Sequence, residues 1–120
     1  LVRAALDEAG VAAQHVSVVP LPINLPELYR YYVPLDAVFF LSIYDNWGRR
    51  KRQMFEDLGL KTHVLREVSL AEKGLSAGDV RDKMLRGENW SEDVPPAVRK
   101  LLEQWEIMQR LRDQAAPAPP

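Results

Sequence analysis

The chain has 120 residues, of which 47% are hydrophobic and 28% are charged. This composition is ordinary for a globular protein and supplies enough apolar side chains for one small core, so we expect one domain or part of one. The formal net charge is -1. A protein that binds nucleic acids in general through their phosphates usually carries a strong basic excess, so that class is disfavoured.

Two further features narrow the class of protein. The sequence contains no cysteine, which excludes disulfides, thiol nucleophiles and cysteine-based metal sites. No apolar run approaches the ~20 residues that a membrane-spanning helix requires, so we expect no membrane partner. We also expect a cytoplasmic location, with which the absence of cysteine is compatible.

Helix and strand signals alternate in the first half of the chain. An opening helix is predicted up to Gly10, because apolar residues recur at helical spacing and the glycine ends it. Since the chain opens already inside a helix, we expect it to be part of a longer polypeptide. Residues 15–19 are a β-branched run that predicts a strand, and a short helix is predicted between Pro26 and Pro34. Residues 35–43 are nearly continuous in apolar side chains, which predicts a strand buried on both faces.

The middle of the chain predicts one more helix and one more strand. Asp45 and Asn46 are candidate caps for a helix that ends at Gly59. Its stripe consists of Trp47, Lys51, Phe55 and Leu58. Residues 61–66 then form a short run that predicts the third strand.

Two helices are predicted to follow. Ser76 caps the first, which runs to Leu85, while Pro95 and Pro96 open the second. The second helix has an apolar stripe at helical spacing that we expect to be buried. The stripe consists of Val98, Leu101, Leu102, Trp105 and Met108.

Strands separated by helices predict an α/β fold with a parallel sheet and right-handed crossovers, here with three strands and a C-terminal helix pair. Because sheets usually contain ~5 strands, three are a second indication that the domain is incomplete. We assign residues 1–112 to one α/β domain and residues 113–120, which end in alanine and proline, to a tail.

Ligands of an open parallel sheet bind beyond the carboxyl ends of its strands, where residues 20–26, 42–48 and 67–78 form loops. The third loop runs into a helix with Ser76 and Asp79 at capping-box spacing. Free N–H groups at a helix start favour an anion, and a nearby arginine such as Arg81 can add a charged contact. From the residues alone, the alternative interpretation is that the box of Ser76 and Asp79 only caps a helix and that Arg81 is solvated.

The stretch GLSAGDVRDKMLRGENWSEDVPPAVRKLL resembles the C-terminal signature of the nucleotidyltransferase superfamily that includes NMN adenylyltransferases. That signature is I-S-G-T-x-x-R, a basic helix, a glycine, an acidic and aromatic patch, and a V-P-x-x-V helix start. The resemblance implies that this helix start binds the triphosphate of ATP or CTP. The residues implied are Ser76, Ala77, Gly78, Asp79 and Arg81. Ala77 replaces the usual glycine and Gly78 the usual threonine, so one hydroxyl contact to phosphate is in doubt.

The resemblance extends upstream and covers about residues 1–105. The segment PLPIN is similar to a proline-rich turn in archaeal-type NMN adenylyltransferases, and DAVFFLSIYDNWGRRKRQMFEDLGL resembles the strand, loop and helix after it. The resemblance implies a pocket for the acceptor or the base that includes Pro22, Ile23, Asn24 and Trp47. For Trp47 a place in the core or at the helix edge is the competing interpretation.

The resemblance implies a Rossmann-like domain that transfers a nucleotidyl group from ATP or CTP to a small phosphate-bearing acceptor, with release of pyrophosphate. NMN is the preferred acceptor, and Mg²⁺ would bridge oxygens of the nucleotide phosphates. The alternative is a non-catalytic nucleotide-binding or assembly module of the same fold, and an unrelated doubly wound domain is a third interpretation. The acceptor, the base and the oligomeric state, a homo-oligomer included, stay open.

We predict that the purified 120-residue chain has no transferase activity by itself. The family's defining motif is H-x-G-H, and the two histidines of this chain, His15 and His63, are isolated from each other. We therefore assign no catalytic residue and no metal ligand, and expect the motif to lie before Leu1. Pyrophosphate release above background from the 120-residue chain with ATP or CTP would contradict this prediction.

Overall fold

A computed structural model describes residues 1–117 of the chain. The chain divides into two compact units. One unit combines Leu1–Val18 with the chain from Leu75 onward, and the other is Val19–Gly74. No helix within residues 1–117 has both the length and the apolar character needed to cross a bilayer.

The unit Val19–Gly74 contains a small parallel sheet with one long helix. It begins with a 3₁₀ helix, Pro26–Tyr31, and ends with another, Leu70–Glu72. Between them lie strand β1 (Val38–Ile43), helix α2 (Asn46–Asp57) and strand β2 (Lys61–Glu67). The two strands run parallel, with a register shift after Leu41. The parallel α/β arrangement that the sequence predicts is thus confirmed for these two strands.

The prediction of a strand at residues 15–19 is wrong. Ala13–His15 is a 3₁₀ helix, and no strand forms at residues 16–19. A β-branched run becomes a strand only when a neighbouring strand supplies the hydrogen-bonded ladder, and Pro20 and Pro22 beside it lack N–H donors. Among the residues described, the sheet therefore has two strands.

The prediction that β1 is buried on both faces is also wrong. Leu41 and Ile43 are buried, whereas Phe40 is 61% exposed and, on β2, Leu65 is 64% exposed. Helix α2 packs against both strands, and the side chains that alternate away from it face solvent in this unit. The strand also begins at Val38, later than predicted, because a turn precedes it.

Helix α2 buries only part of the stripe that the sequence predicts. Phe55 is buried, whereas Trp47 and Leu58 are 42% and 47% exposed. Asp45 caps the helix, and its carboxylate accepts a hydrogen bond of 2.9 Å from the N–H of Gly48. A Cβ at Gly48 would lie 3.2 Å from Cα of Ile43, so the helix start packs tightly against the end of β1.

The other unit is helical. Helix α1 (Val2–Glu8) packs on α4 (Pro96–Gln104), and α5 (Ile107–Ala115) contacts both α4 and α3 (Ala77–Arg86). Its core consists of Val80, Met84 and Trp90, with apolar residues of α4 and α5 packed against them. The predicted opening helix and the helix that begins after Ser76 are confirmed, and Gly87 ends the latter with a left-handed φ of 72°.

Two contacts stabilise the entry to α4. The N-cap of α4 is Pro95, whose side chain cannot accept a hydrogen bond from the first turn. The carboxylate of Glu8 takes this role and accepts a hydrogen bond of 2.6 Å from the N–H of Ala97. Lys83 of α3 forms an ion pair of 2.5 Å with Asp93 in the preceding loop.

The last predicted helix, which was to run through Met108, is broken in the structure. The break lies at Trp105 and Glu106, where Glu106 adopts a left-handed φ of 52°. Trp105 is consequently 46% exposed, although the stripe predicts its burial. Helix α5 continues past residue 112 to Ala115, and residues 118–120 of the predicted tail lie outside the described residues.

The burial of α2 gives the first structural prediction. Phe55→Ala should lower the free energy of unfolding by about 3 kcal/mol, because it removes a buried aromatic ring from the core. Leu58→Ala, at the exposed residue that follows the last turn of α2, is the control and should cost less than about 1 kcal/mol. Urea denaturation of both variants measures the difference. Equal losses would show that the packed face of α2 has been assigned incorrectly.

Candidate functional site

The turn before α3 forms the capping box that the sequence predicts. The hydroxyl oxygen of Ser76 accepts a hydrogen bond of 3.2 Å from the N–H of Asp79. In return, the carboxylate of Asp79 accepts from the N–H and the hydroxyl of Ser76, both at 2.7 Å. The two residues thus fix the direction in which the chain enters the helix.

Two backbone donors remain open at this helix start. The N–H groups of Ala77 and Gly78 form no hydrogen bond to any residue between 1 and 117. The N–H of Asp79, another residue of the predicted phosphate site, is already bound to Ser76. An anion at this turn would therefore meet two free amides and the positive end of the helix dipole.

The electrostatics of the turn require a cation as well. The carboxylate of Asp79 lies at the same turn and repels an approaching anion. Arg81 is exposed and stands one helical turn after Ala77, so the two share a face of α3. Both residues also line a mostly apolar cavity of about 250 Å³ within their unit, together with Val80 and Met84. The guanidinium of Arg81 is thus available on the face that carries an open amide.

The loop after β2 contains a second capping box. Ser69 and Glu72 are linked by a hydroxyl-to-carboxylate hydrogen bond of 2.8 Å. The hydrogen bond from the Ser69 side chain, followed by the one from its backbone N–H, lowers the pKa of the Glu72 carboxyl below its ordinary value. Lys73 follows, with its ammonium 5.2 Å from the ring centroid of Tyr44, the residue after β1. Two loops of this unit therefore meet through a cation–π contact.

The predicted acceptor or base residues all lie in the unit Val19–Gly74. Pro22 and Ile23 are half-buried and Asn24 is exposed, in a turn that the N–H of Leu25 closes on the carbonyl of Pro22 at 2.8 Å. Trp47 is exposed, with the guanidinium of Arg50 5.8 Å from its ring centroid. A place in the core is therefore wrong for this side chain, whereas a place at the helix edge agrees with its position in the first turn of α2. The predicted phosphate-binding residues, 76–81, belong to the other unit.

One hydrogen bond of the acceptor segment, residues 22–24, is not predicted by the sequence. The phenol of Tyr29 donates a hydrogen bond to the carbonyl oxygen of Ile23. No local sequence pattern pairs a side chain with a carbonyl six positions earlier.

A parallel α/β unit and a capped helix start with open amides are features of phosphate-binding proteins. The chain is 38% identical over 112 residues to the phosphonoformate cytidylyltransferase of Streptomyces viridochromogenes, a match that covers 93% of this chain and 60% of that protein. It is 34% identical over 114 residues to the nicotinamide-nucleotide adenylyltransferase of Picrophilus torridus, covering 94% of this chain and 64% of that protein. The enzyme of the same name from Thermococcus onnurineus is 29% identical over 113 residues, covering 93% of this chain and 58% of that protein.

These relatives confirm the resemblance found in the sequence: the chain is a nucleotidyltransferase-like domain. It spans about 60% of the length of the curated relatives that it matches. No family model matches the sequence, and no solved structure matches it.

The capping box gives a prediction that does not depend on any ligand. Ser76→Ala should lower the free energy of unfolding by about 1 kcal/mol, because the N–H of Asp79 loses its acceptor. Ser17→Ala, at an exposed position outside the helices and strands, is the control and should leave stability within about 0.5 kcal/mol of wild type. Chemical denaturation measures both. An unchanged stability for Ser76→Ala would mean that the cap contributes nothing to α3.

Proposed function

We propose that the natural full-length protein transfers a nucleotidyl group from a nucleoside triphosphate to a small acceptor that carries a phosphate or phosphonate group. The observation that carries this proposal is similarity over 93% and 94% of the chain to two proteins named as nucleotidyltransferases. An oxygen of the acceptor would form a bond to the α-phosphorus as the bond to the bridging oxygen breaks, and pyrophosphate would leave with the electron pair. A non-catalytic module is the less favoured alternative, because both relatives are named for the reaction.

In this proposal the start of α3 binds the phosphates. The N–H groups of Ala77 and Gly78 are open donors, and Arg81 would supply the charge that offsets the neighbouring carboxylate of Asp79. Catalysis of this kind depends mainly on positioning and on electrostatic stabilisation of phosphate oxygens. Ser76 would act through the cap that orients this turn, since its hydroxyl already binds Asp79.

Mg²⁺ would enter this site with the nucleotide. Within residues 1–117 no group of three or more acidic or histidine side chains is arranged to bind a metal ion. We therefore propose that the ion would be bound chiefly by the phosphates of the substrate, as Mg²⁺ commonly is. When bound, Mg²⁺ would neutralise charge on the phosphate oxygens, while the amides and Arg81 would orient them.

The identities of base and acceptor are the finer part of the proposal. We place CTP with phosphonoformate first, because the relative named for that pair is 38% identical to this chain. ATP with NMN, the pair that the sequence resemblance prefers, comes second, because the relative named for NMN adenylyl transfer is 34% identical. Both acceptors are small and anionic, so the same cations and amides can serve either.

The direct test is a substrate panel with the natural full-length protein. Pyrophosphate release should be measured with CTP and ATP, each combined with phosphonoformate and with NMN, in the presence of Mg²⁺. We expect acceptor-dependent release with at least one pair. Release with no pair, together with no ATP or CTP binding by calorimetry, would contradict the proposed function and its alternative.

Arg81→Ala in the full-length protein should lower kcat/KM for the triphosphate about 10- to 100-fold, because it removes one charged contact to phosphate. Arg86→Ala is the matched control on the same helix, since Arg86 lies in the last turn and pairs with Glu88 at 2.7 Å. It should change kcat/KM less than about twofold, as expected for a surface ion pair far from the turn. Steady-state kinetics with varied triphosphate concentration measure both variants. If Arg81→Ala has the kcat/KM of wild type, Arg81 does not contact the triphosphate.

A further inference from the structure

Tyr29 is one of the two most completely buried large side chains in the structure. Its side chain lies beneath the segment that contains Pro22, Ile23 and Asn24, and only 1% of the residue is exposed. Its ring meets the ring of Phe55 edge to face, with centroids 6.0 Å apart. The phenol donates its hydrogen bond to the carbonyl oxygen of Ile23. Tyr29 therefore connects the core of its unit to the backbone of the predicted acceptor segment.

The acceptor segment has few other hydrogen bonds that could fix its shape. Prolines at positions 20, 22 and 26 have no N–H and cannot donate. Within the described part of the chain, the only other hydrogen bond to residues 20–24 is the one from the N–H of Leu25 to the carbonyl of Pro22. Leu21 and Ile23 also pack against the core, but among the described residues the bond from Tyr29 is the hydrogen bond that joins this segment to a residue outside its own turn.

The phenol is suited to a permanent donor role. Burial raises the pKa of Tyr29 above its ordinary value, so the hydroxyl keeps its proton throughout the neutral range. The carbonyl of Ile23 can accept that proton but cannot donate one, so the direction of the bond is fixed. Deleting the hydroxyl would leave a partly buried carbonyl without its partner and would free the segment to move.

We infer that Tyr29 is a positioning residue for the acceptor: its hydroxyl sets the backbone of residues 22–24 and thereby governs how tightly the acceptor binds. The inference rests on the proposed function and on the family resemblance, which implies that residues 22–24 help to form the pocket for the acceptor or the base. It assigns Tyr29 no contact with the triphosphate, so acceptor binding and triphosphate binding should separate in a Tyr29 variant.

Tyr29→Phe in the full-length protein isolates the hydroxyl. Phenylalanine retains the ring and its edge contact with Phe55, so the core stays packed while the hydrogen bond is lost. We expect KM for the acceptor to rise about fivefold, the usual size for one neutral hydrogen bond, with KM for the triphosphate and kcat within about twofold of wild type. The substrates for this assay are CTP and phosphonoformate, or ATP and NMN if only those two react.

Tyr32→Phe is the matched control, since Tyr32 is 42% exposed just beyond the same short helix. It should leave all three kinetic constants at wild-type values. A second readout is independent of activity: amide hydrogen exchange at Leu25 should quicken in Tyr29→Phe and stay unchanged at Leu41, in the middle of β1.

Each outcome decides a separate point. Unchanged exchange at Leu25, or an equal rise of KM for acceptor and triphosphate, would overturn the positioning role. Faster exchange at Leu25 with an unchanged acceptor KM would show that the segment is held by Tyr29 but does not bind the acceptor, and would also overturn the inference. A wild-type protein that releases no pyrophosphate contradicts the proposed function itself, whatever the exchange data show.

Discussion

The proposed chemistry depends on how the first turn of α3 uses its backbone donors. Ser76 and Asp79 satisfy each other, which fixes the turn and leaves the N–H groups of Ala77 and Gly78 open. The same arrangement places the carboxylate of Asp79 beside those donors, so the turn alone attracts an anion only weakly. A phosphate group therefore requires Arg81, or a metal ion that arrives with the nucleotide, to balance the charge.

In the unit Val19–Gly74, the acceptor segment and the start of α2 rest on the same core. Tyr29 lies beneath the acceptor segment, Phe55 belongs to the helix whose first turn carries Trp47, and their rings touch. Gly48 lets that first turn approach Ile43 at the carboxyl end of β1. A change in this small cluster would therefore shift both segments together.

The sequence predicts local features well and non-local ones poorly. The box of Ser76 and Asp79 was predictable because both partners lie within one turn. Residues 15–19 do not form the predicted strand, because strand formation depends on a neighbouring ladder that local sequence cannot supply. Periodicity predicts a helix from Asn46 to Gly59 and the burial of Phe55, but it also places Trp47 and Leu58 on the buried stripe, and both are exposed. No local pattern indicates the left-handed Glu106 that separates α4 from α5. The family resemblance, in contrast, was carried by motif and element order, and the relatives confirm it.

Backbone amide chemical shifts of the ¹⁵N-labelled full-length protein, recorded during titration with Mg²⁺ and CTP or ATP, test the central claim most directly. Open donors that bind phosphate change their shifts on binding, so the amides of Ala77 and Gly78 should move together and saturate at one nucleotide concentration. The amide of Gly59, in a glycine turn of the other unit, should stay in place. Saturable nucleotide binding that leaves Ala77 and Gly78 unmoved would contradict the account, because the phosphates would then be bound elsewhere.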